Sequence, residues 1–479
     1  MRAEKMNRIL LSCLTGISLQ VMCITGTFAE GVFLPLHKIV DVSPEADSFG
    51  VTRRGQGRMN SNLLSRLFNP DKRVSDVPLH MLDGSRSTLQ LSQAQARTVD
   101  GIQIISGQVD GSKNNMATFA NDGGKLSGRI WKDGILYRLN GDESGDYQLS
   151  EINIGHIPEG RDTPEVSVPR RNQDNADANK QQQRTTAQRV DEPIDLLILI
   201  TARAIKKLGG REKAAVEVNL LAAETNNIYR QSGTTDGDMF RVIGVEELPF
   251  EGNDDLGSDL RMLRSYKPML AFRNKTGADL VAFITAPENP KICGMGFLGP
   301  DVAEPEVYPE LGFSITAAMC AFGGLTFAHE LGHNLGARHD RAADPHKGDN
   351  HGYVNMEKQW RTVMSYDKVC RENNNMKCPR IPYFSNPSKT FKGDPVGVAK
   401  GQELPANNAD RIRQNRTLIA AYKARAGTTP AVSRQKSAPS SQKTVVRKKV
   451  VDKVGGIILE PSAGQNSNQG QGKERKIKW

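Results

Sequence analysis

The chain has 479 residues, enough for about three domains of roughly 150 residues each. Its hydrophobic content of 37% and charged content of 25% exclude a fibrous or wholly disordered protein. The formal net charge of +10 is concentrated in residues 427–479, where 11 Lys and Arg stand against 3 Asp and Glu. The nearly neutral remainder gives no reason to expect a specific nucleic-acid partner. The basic tail either contacts anionic surfaces or is merely solvated.

Residues 1–29 have the pattern of a signal peptide. Three basic residues among the first eight precede the apolar run Ile9–Ile24, and small residues lie just before Glu30. A membrane anchor is the alternative, but the run is shorter than the roughly 20 residues that a span needs. We therefore expect a secreted protein, extracellular or periplasmic in transit, that is not an integral membrane protein.

Residues 30–158 carry short strand-like segments separated by Gly, Asp and Asn turns, among them Ile102–Ile105, Arg129–Trp131 and Leu136–Leu139. These segments predict a small β-rich domain. Residues 159–190 are rich in Arg, Gln, Asn, Asp and Thr and cannot bury a core. We expect a disordered, protease-sensitive linker there that contains the maturation site.

Residues 191–426 alternate strand and helix signals. Ile194–Ile200 is an almost continuous apolar run, as in a buried strand, and Glu212–Tyr229 has apolar residues on one helical face. The further predicted elements are the strands Arg241–Val245 and Asp279–Thr285 and the helices Asp259–Phe272 and Asn407–Ala424. This alternation predicts an α/β (α+β) domain with a mostly parallel twisted sheet and flanking helices. Residues 427–479 are then a basic disordered tail.

Four cysteines remain once the signal peptide is removed: Cys293, Cys320, Cys370 and Cys378. An even number of cysteines in an exported protein indicates disulfides, and four cysteines allow three pairings. The local pairings Cys293–Cys320 and Cys370–Cys378 are favoured. A structural zinc site is the weaker alternative, because no C-x-x-C spacing is present.

One segment combines metal-ligand side chains at a catalytic spacing. His329 and His333 are four residues apart, so on a helix they face one side and can bind the same zinc ion. Glu330 lies beside them without being a ligand, which suits a general base. Gly336 can take a left-handed conformation and end the helix, and the turn brings back His339 as the third ligand. Three protein ligands leave one position open, which predicts one catalytic zinc.

A zinc ion of this kind makes water acidic and polarises a carbonyl group, so we expect hydrolysis of protein or peptide substrates. An extended substrate would pair with an exposed sheet edge, for which Gly294–Leu298 and Phe313–Thr316 are the candidates. The alternatives are a helix with surface histidines, a binding or adhesion protein with a vestigial zinc site, and hydrolysis of a non-peptide amide. Glu330 argues against a binding-only site, which has no need of a general base.

The extended string H-E-x-x-H-x-x-G-x-x-H resembles that of the metzincins. Asp340 is similar to the Asp of the reprolysin/adamalysin branch, where it has a structural role, and Val363–Tyr366 resembles the Met-turn, which would place Met364 beneath the zinc. Arg380–Pro387 resembles bacterial reprolysin-like enzymes, most closely the peptidyl-Asp metalloendopeptidases. The resemblance implies a metzincin catalytic domain in a zymogen whose prodomain is residues 30–158.

Two side chains near the Met-turn receive expected roles from this resemblance. Tyr366 follows Met364 by two residues, as in the astacin and serralysin branches, and is either a fifth ligand or oxyanion donor or a packed Tyr. In metzincins the segment after the Met-turn lines the pocket for the residue after the cut bond. There Arg380 could bind a carboxylate with two parallel bonds, in line with cleavage before Asp, or it could merely solvate a loop. The sequence leaves a calcium requirement open.

Overall fold

The computed structural model describes eight stretches of the chain, which are residues 31–43, 50–69, 76–99, 101–154, 192–288, 290–300, 308–373 and 378–424. The predicted signal peptide, linker and basic tail lie outside the described residues. Within them, no helix is both long and apolar enough to cross a membrane. The described residues form an N-terminal unit, residues 31–154, and a C-terminal unit, residues 192–424.

The N-terminal unit is one sheet of nine strands in the order β1-β2-β9-β8-β7-β6-β5-β4-β3, with antiparallel neighbours throughout. Tight turns join the strands: Asp133 and Gly134 both have positive φ, the backbone that matches the twist of a two-residue hairpin. The elements are β1 (His37–Asp41), β2 (Val51–Arg58), α1 (Ser61–Leu67), β3 (Asp76–His80), β4 (Arg86–Val99), β5 (Ile102–Val109), β6 (Ser112–Asp122), β7 (Lys125–Lys132), β8 (Ile135–Gly141) and β9 (Asp146–Ile152).

The C-terminal unit is built on a five-stranded sheet in the order β11-β10-β12-β14-β13. Its strands are β10 (Ile194–Thr201), β11 (Phe240–Leu248), β12 (Leu280–Thr285), β13 (Gly294–Gly296) and β14 (Phe313–Ala317). Pairings among the first four strands of that order are parallel, and β13 is antiparallel to β14 at the edge. Strand β10 is buried along its whole length, as expected for a central strand covered on both faces.

Helices and short strands complete this unit. The helices are α2 (Ala202–Lys207), α3 (Arg211–Gln231), α4 (Leu256–Ser265), α5 (Lys267–Thr276), α6 (Ala318–Ala321), α7 (Thr326–Asn334), α8 (Lys368–Glu372) and α9 (Asn408–Ile419), with a 3₁₀ turn at Pro309–Leu311. The small strand pairs are β15 (Val354–Asn355) with β16 (Trp360–Arg361) and β17 (Thr390–Phe391) with β18 (Asp394–Pro395). Both predicted local disulfides, Cys293–Cys320 and Cys370–Cys378, are present.

Three sequence predictions need correction. The helix predicted over Asp259–Phe272 is two helices, because Pro268 in the first turn of α5 cannot continue a helix from α4. The last helix ends at Ile419 rather than Ala424. Phe313–Thr316 is not an edge, since β14 lies between β12 and β13. Of the two predicted edge segments, only the one that contains β13 lies at an edge of the sheet.

Candidate metal centre

Helix α7 presents His329 and His333 on one side, one turn apart, and both side chains are buried. Gly332 lies between them because there is no room for a larger residue. A Cβ at this position would lie 2.8 Å from the Phe384 ring and 2.9 Å from the sulfur of Met364. Met364 therefore packs directly against the helix that carries the histidines.

The chain reverses at Gly336, which has φ of +83°. The N–H of Ala337 bonds back to the carbonyl of Gly332, closing the end of the helix. A Cβ at Gly336 would lie 2.6 Å from the carbonyl oxygen of Pro300, so only glycine fits this close approach. The turn returns His339 to the open side of α7.

The three imidazoles converge through their Nε2 atoms. Nε2 of His339 lies 3.1 Å from that of His329 and 2.9 Å from that of His333. The Nδ1 atoms of His329 and His333 each lie 2.9 Å from a backbone carbonyl, of Val363 and Ala337. A carbonyl fixes the proton on Nδ1 and leaves the Nε2 lone pair for a metal.

The electrostatics of the cluster favour neutral ligands. Burial, followed by the nearby Arg380 guanidinium, lowers the pKa of His329 to about 3. Neutral imidazoles are the form that binds a metal ion. Among the described residues, His329, His333 and His339 are the group of three or more potential ligands able to hold one ion, with ligand atoms within 4.8 Å of one another. The donor set fits zinc.

The carboxyl group of Glu330 lies between the helix and the edge strand. Glu330 is 1% exposed, and a Cβ on Gly294 of β13 would overlap its Oε1. Asn334 ties the same end of the sheet to α7, because its side-chain amide donates to the carbonyls of Phe297 at 2.8 Å and Phe313 at 3.0 Å. The Glu330 carboxyl group therefore lies next to the edge strand β13.

Asp340 and Tyr366 connect the third histidine to the Met-turn. The Asp340 carboxylate accepts from the backbone N–H of Tyr366 at 2.8 Å and of Ala342 at 3.1 Å. Burial raises the pKa of Asp340 to about 6, although the backbone hydrogen bond from Ala342 acts to lower this pKa. The Tyr366 hydroxyl lies 3.4 Å from Nε2 of His339, so this side chain reaches the metal-binding atoms.

Arg380 is buried close to the centre, and a second guanidinium accompanies it. Arg380 donates to the carbonyls of Gly324 at 3.2 Å and Ser365 at 3.4 Å, and Arg361 donates to the same Ser365 carbonyl at 2.6 Å. Burial, and then Arg380, lowers the pKa of Arg361 well below its ordinary value. Sequence reasoning missed Arg361; its position three residues before Met364 is the only signal that could have indicated it.

Other candidates lie apart from this pair and from the cluster. Lys368 and Arg371, on α8, form surface ion pairs with Glu372 and Asp367. His351 is buried, and its ring nitrogens lie 2.8 Å and 2.9 Å from the carbonyls of His339 and His346. It braces the backbone of the third histidine without adding a ligand atom to the cluster.

Comparison with known proteins bears directly on this centre. Residues 190–385 match the family model Reprolysin_5, described as metallo-peptidase family M12. The chain is similar to the peptidyl-Asp metalloendopeptidase of Stenotrophomonas maltophilia (strain R551-3), with 28% identity over 321 residues, 64% of this chain and 71% of that protein. It is also similar to the peptidyl-Asp metalloendopeptidase of Xanthomonas campestris pv. campestris, with 27% identity over 338 residues, 69% of this chain and 73% of that protein.

Among solved structures, metalloproteinase-II from Bacteroides fragilis superposes with a TM-score of 0.37 at 14% identity, over 59% of this chain and 85% of that chain. The histidine triad and the relatives define the class: the chain is a zinc metalloendopeptidase. Its residues 190–385 are similar to the domain of metallo-peptidase family M12.

Proposed function

We propose that this protein is a secreted endopeptidase in which His329, His333 and His339 hold one zinc ion and Glu330 is the general base. The observation that carries the proposal is the convergence of three Nε2 atoms beside a buried carboxyl group at the sheet edge. A zinc ion bound there supplies Lewis acidity, which acidifies water and polarises a carbonyl group. The Glu330 carboxylate accepts the proton of the attacking water and passes it to the leaving amine.

Strand β13 is the proposed substrate platform. It forms the edge of the five-stranded sheet, with β14 on its inner side. An extended peptide pairing with its outer side would have its scissile bond close to Glu330, because Gly294 lies against that carboxyl group. Tyr366 would donate its hydroxyl to the oxyanion, consistent with its distance from His339.

The proposed specificity is cleavage before an acidic residue, Asp in particular. Both relatives described above bear the name peptidyl-Asp metalloendopeptidase. In this chain Arg380 is the proposed partner of the substrate carboxylate, since it is buried behind the Met-turn and near enough to His329 to lower its pKa. A guanidinium can hold a carboxylate with two parallel hydrogen bonds.

We also propose that residues 30–158 are a prodomain, released after cleavage in residues 159–190. In the full chain the three histidines and Glu330 are at most 2% exposed, which is consistent with a latent form. Residues 30–190 contain no cysteine, so latency cannot use a thiolate on zinc and must come from non-thiol contacts or steric cover. Two disulfides agree with export to an oxidising compartment.

A test combines metal removal with substrate profiling. The mature protein should degrade casein, lose that activity with a chelator and recover it with stoichiometric zinc. A peptide library should then show Asp enriched directly after the cut bond. Protein that binds zinc but cleaves no peptide would favour the alternative of a binding protein with a vestigial site.

A further inference from the structure

Helix α3 is buried on two opposite sides. Its inner side packs on the C-terminal unit, where the Tyr229 hydroxyl donates to the carbonyl of Ala328 in α7 at 3.0 Å. Its outer side packs on the N-terminal sheet through Val216, Leu220 and Ala223, which lie at helical spacing. These three contact the apolar surface formed by Ile102, Ile104 and Ala120.

Buried polar groups on the same outer side bond to the N-terminal sheet. The Glu217 carboxylate accepts from Arg129 at 2.9 Å and from the Ser127 hydroxyl at 2.9 Å. Seven residues on, the Glu224 carboxylate accepts from the indole N–H of Trp131 at 2.7 Å. The ion pair between Arg129 and Glu217 is almost wholly buried, with both side chains 1% exposed.

The outer side of α3 also forms hydrogen bonds with β5 and β6 of the N-terminal sheet. The Asn227 amide donates to the hydroxyls of Thr118 at 2.7 Å and Ser106 at 3.0 Å. Elsewhere the Tyr383 hydroxyl lies 2.9 Å from the side-chain amide of Asn114. These contacts join the N-terminal sheet to the C-terminal unit and involve neither the histidine cluster nor residues 159–190.

We infer that the outer face of α3 is a protein-binding surface that keeps the N-terminal unit attached after the linker is cut. The inference rests on the proposed cleavage in residues 159–190, but not on the chemistry of the centre. The partner of this surface is the face of the N-terminal sheet on which β7 presents Ser127, Arg129 and Trp131. Cleavage thus yields a noncovalent complex, and loss of the N-terminal unit is a separate dissociation step.

The test replaces residues 178–184 with the recognition sequence of an unrelated site-specific protease, in the Glu330→Gln background to prevent self-digestion. After cutting, the two fragments should elute together in size-exclusion chromatography at micromolar concentration. Glu217→Gln and Arg129→Ala should raise the dissociation constant at least 100-fold, because each breaks the buried ion pair at 2.9 Å between Arg129 and Glu217. The matched control is Lys125→Ala, which removes an exposed ion pair with Glu212 at the rim and should change the constant less than threefold.

Asn227→Ala provides a second variant if the Arg129→Ala chain fails to fold, and it should weaken binding about tenfold through two lost hydrogen bonds. Separation of the wild-type fragments directly after cutting would overturn the inference. An effect of Lys125→Ala as large as that of Glu217→Gln would overturn it as well. Zinc content and proteolysis are measured on the unaltered catalytic chain, so failure of the enzymatic proposal remains distinguishable.

Discussion

Gly294 of the edge strand lies directly against the carboxyl group of Glu330, where a side chain at position 294 would overlap Oε1. We therefore expect Gly294→Ala to displace the carboxylate while the histidine cluster stays intact. Because a displacement of about 1 Å can reduce a rate about 100-fold, kcat should fall by roughly that factor with zinc still bound. The measurement is kcat on a fluorogenic peptide together with zinc content.

The control for this substitution is Gly237→Ala, since no atom lies within 4 Å of a Cβ built at that position. It should leave kcat and zinc content unchanged. Full activity in the Gly294→Ala protein would contradict the placement of Glu330 against the edge strand.

Mutations should distinguish the role of Glu330 in catalysis from the role of the histidines in metal binding. Glu330→Gln preserves the shape of the site but cannot accept a proton, so kcat should fall by about 10²–10⁴ with one zinc per chain retained. His333→Ala removes one of the three proposed ligands and should lose the metal. Zinc stoichiometry and kcat, measured on both variants, check these outcomes. Appreciable proteolysis by the Glu330→Gln protein would remove Glu330 from the role of base.

The Tyr366 hydroxyl, 3.4 Å from Nε2 of His339, is placed to act in the transition state. If it donates to the oxyanion, Tyr366→Phe should lower kcat about 100-fold with little change in KM. Tyr383→Phe is the matched control, because that hydroxyl faces Asn114 rather than the histidines. In the mature enzyme the control should keep its kcat. Equal kcat values for both variants would leave Tyr366 a packing residue.

The two carboxylates on α3 should respond oppositely to neutralisation. Burial alone would raise the pKa of Glu217, but Arg129 holds it below its usual value, whereas burial raises the pKa of Glu224. A lowered folded pKa means that ionised Glu217 stabilises the fold above its unfolded pKa, and this stability is lost as pH falls through the folded pKa. A raised folded pKa means that Glu224 progressively reduces stability as pH rises above its unfolded pKa.

At pH 7 we therefore expect Glu217→Gln to cost about 3 kcal/mol, as for a broken buried ion pair. Glu224→Gln should stabilise by about 1 kcal/mol, since Gln can still accept from Trp131, and the burial that raises the pKa of Glu224 outweighs its 3.5 Å contact with Arg129, which keeps its closer pair with Glu217. The gain should shrink as pH falls below the folded pKa of Glu224. Thermal unfolding of the full chain between pH 4 and pH 8 measures both; destabilisation by Glu224→Gln at pH 7 would contradict the assignment.

The local parts of this structure could be predicted from sequence, because they depend on short spacings. The convergence of the three histidines follows from the four-residue separation of His329 and His333 and from the turn at Gly336. Strand β10 follows from an unbroken apolar run. The prediction of a single helix over Asp259–Phe272 was wrong because it neglected Pro268, which is itself a local signal.

The remaining features depend on contacts between distant residues. In the sequence Glu217 lies on the predicted solvent-facing side of a helix. In the folded chain it is buried in an ion pair with Arg129, which lies 88 positions earlier. Gly294 and Glu330 meet only because β13 adds to the sheet beside β14 and lies across α7. Arg361 reaches the Met-turn only because its strand pairs with the segment at Arg380. No spacing rule links these positions, so they required the folded chain.

The specificity proposal can be tested on three arginines in different settings. Arg380 and Arg361 are buried and share the Ser365 carbonyl, whereas Arg371 is exposed and paired with Asp367. A charged hydrogen bond in a desolvated pocket contributes roughly 1.5–3 kcal/mol, a factor of about 10–100 in kcat/KM for Asp over Ala after the cut bond. Arg380→Ala should remove that factor, whereas Arg371→Ala should leave it in place.

Peptide-library profiling of the two zinc-loaded variants gives the comparison, and Arg361→Ala extends it. A loss of Asp preference with Arg361→Ala but not with Arg380→Ala would transfer the role to the neighbouring guanidinium. Wild-type enzyme that prefers large apolar residues after the cut bond would eliminate the acidic pocket altogether. Equal flattening by Arg371→Ala would indicate a general effect of positive charge in this segment, because an exposed guanidinium cannot provide the desolvated contact that the proposal requires.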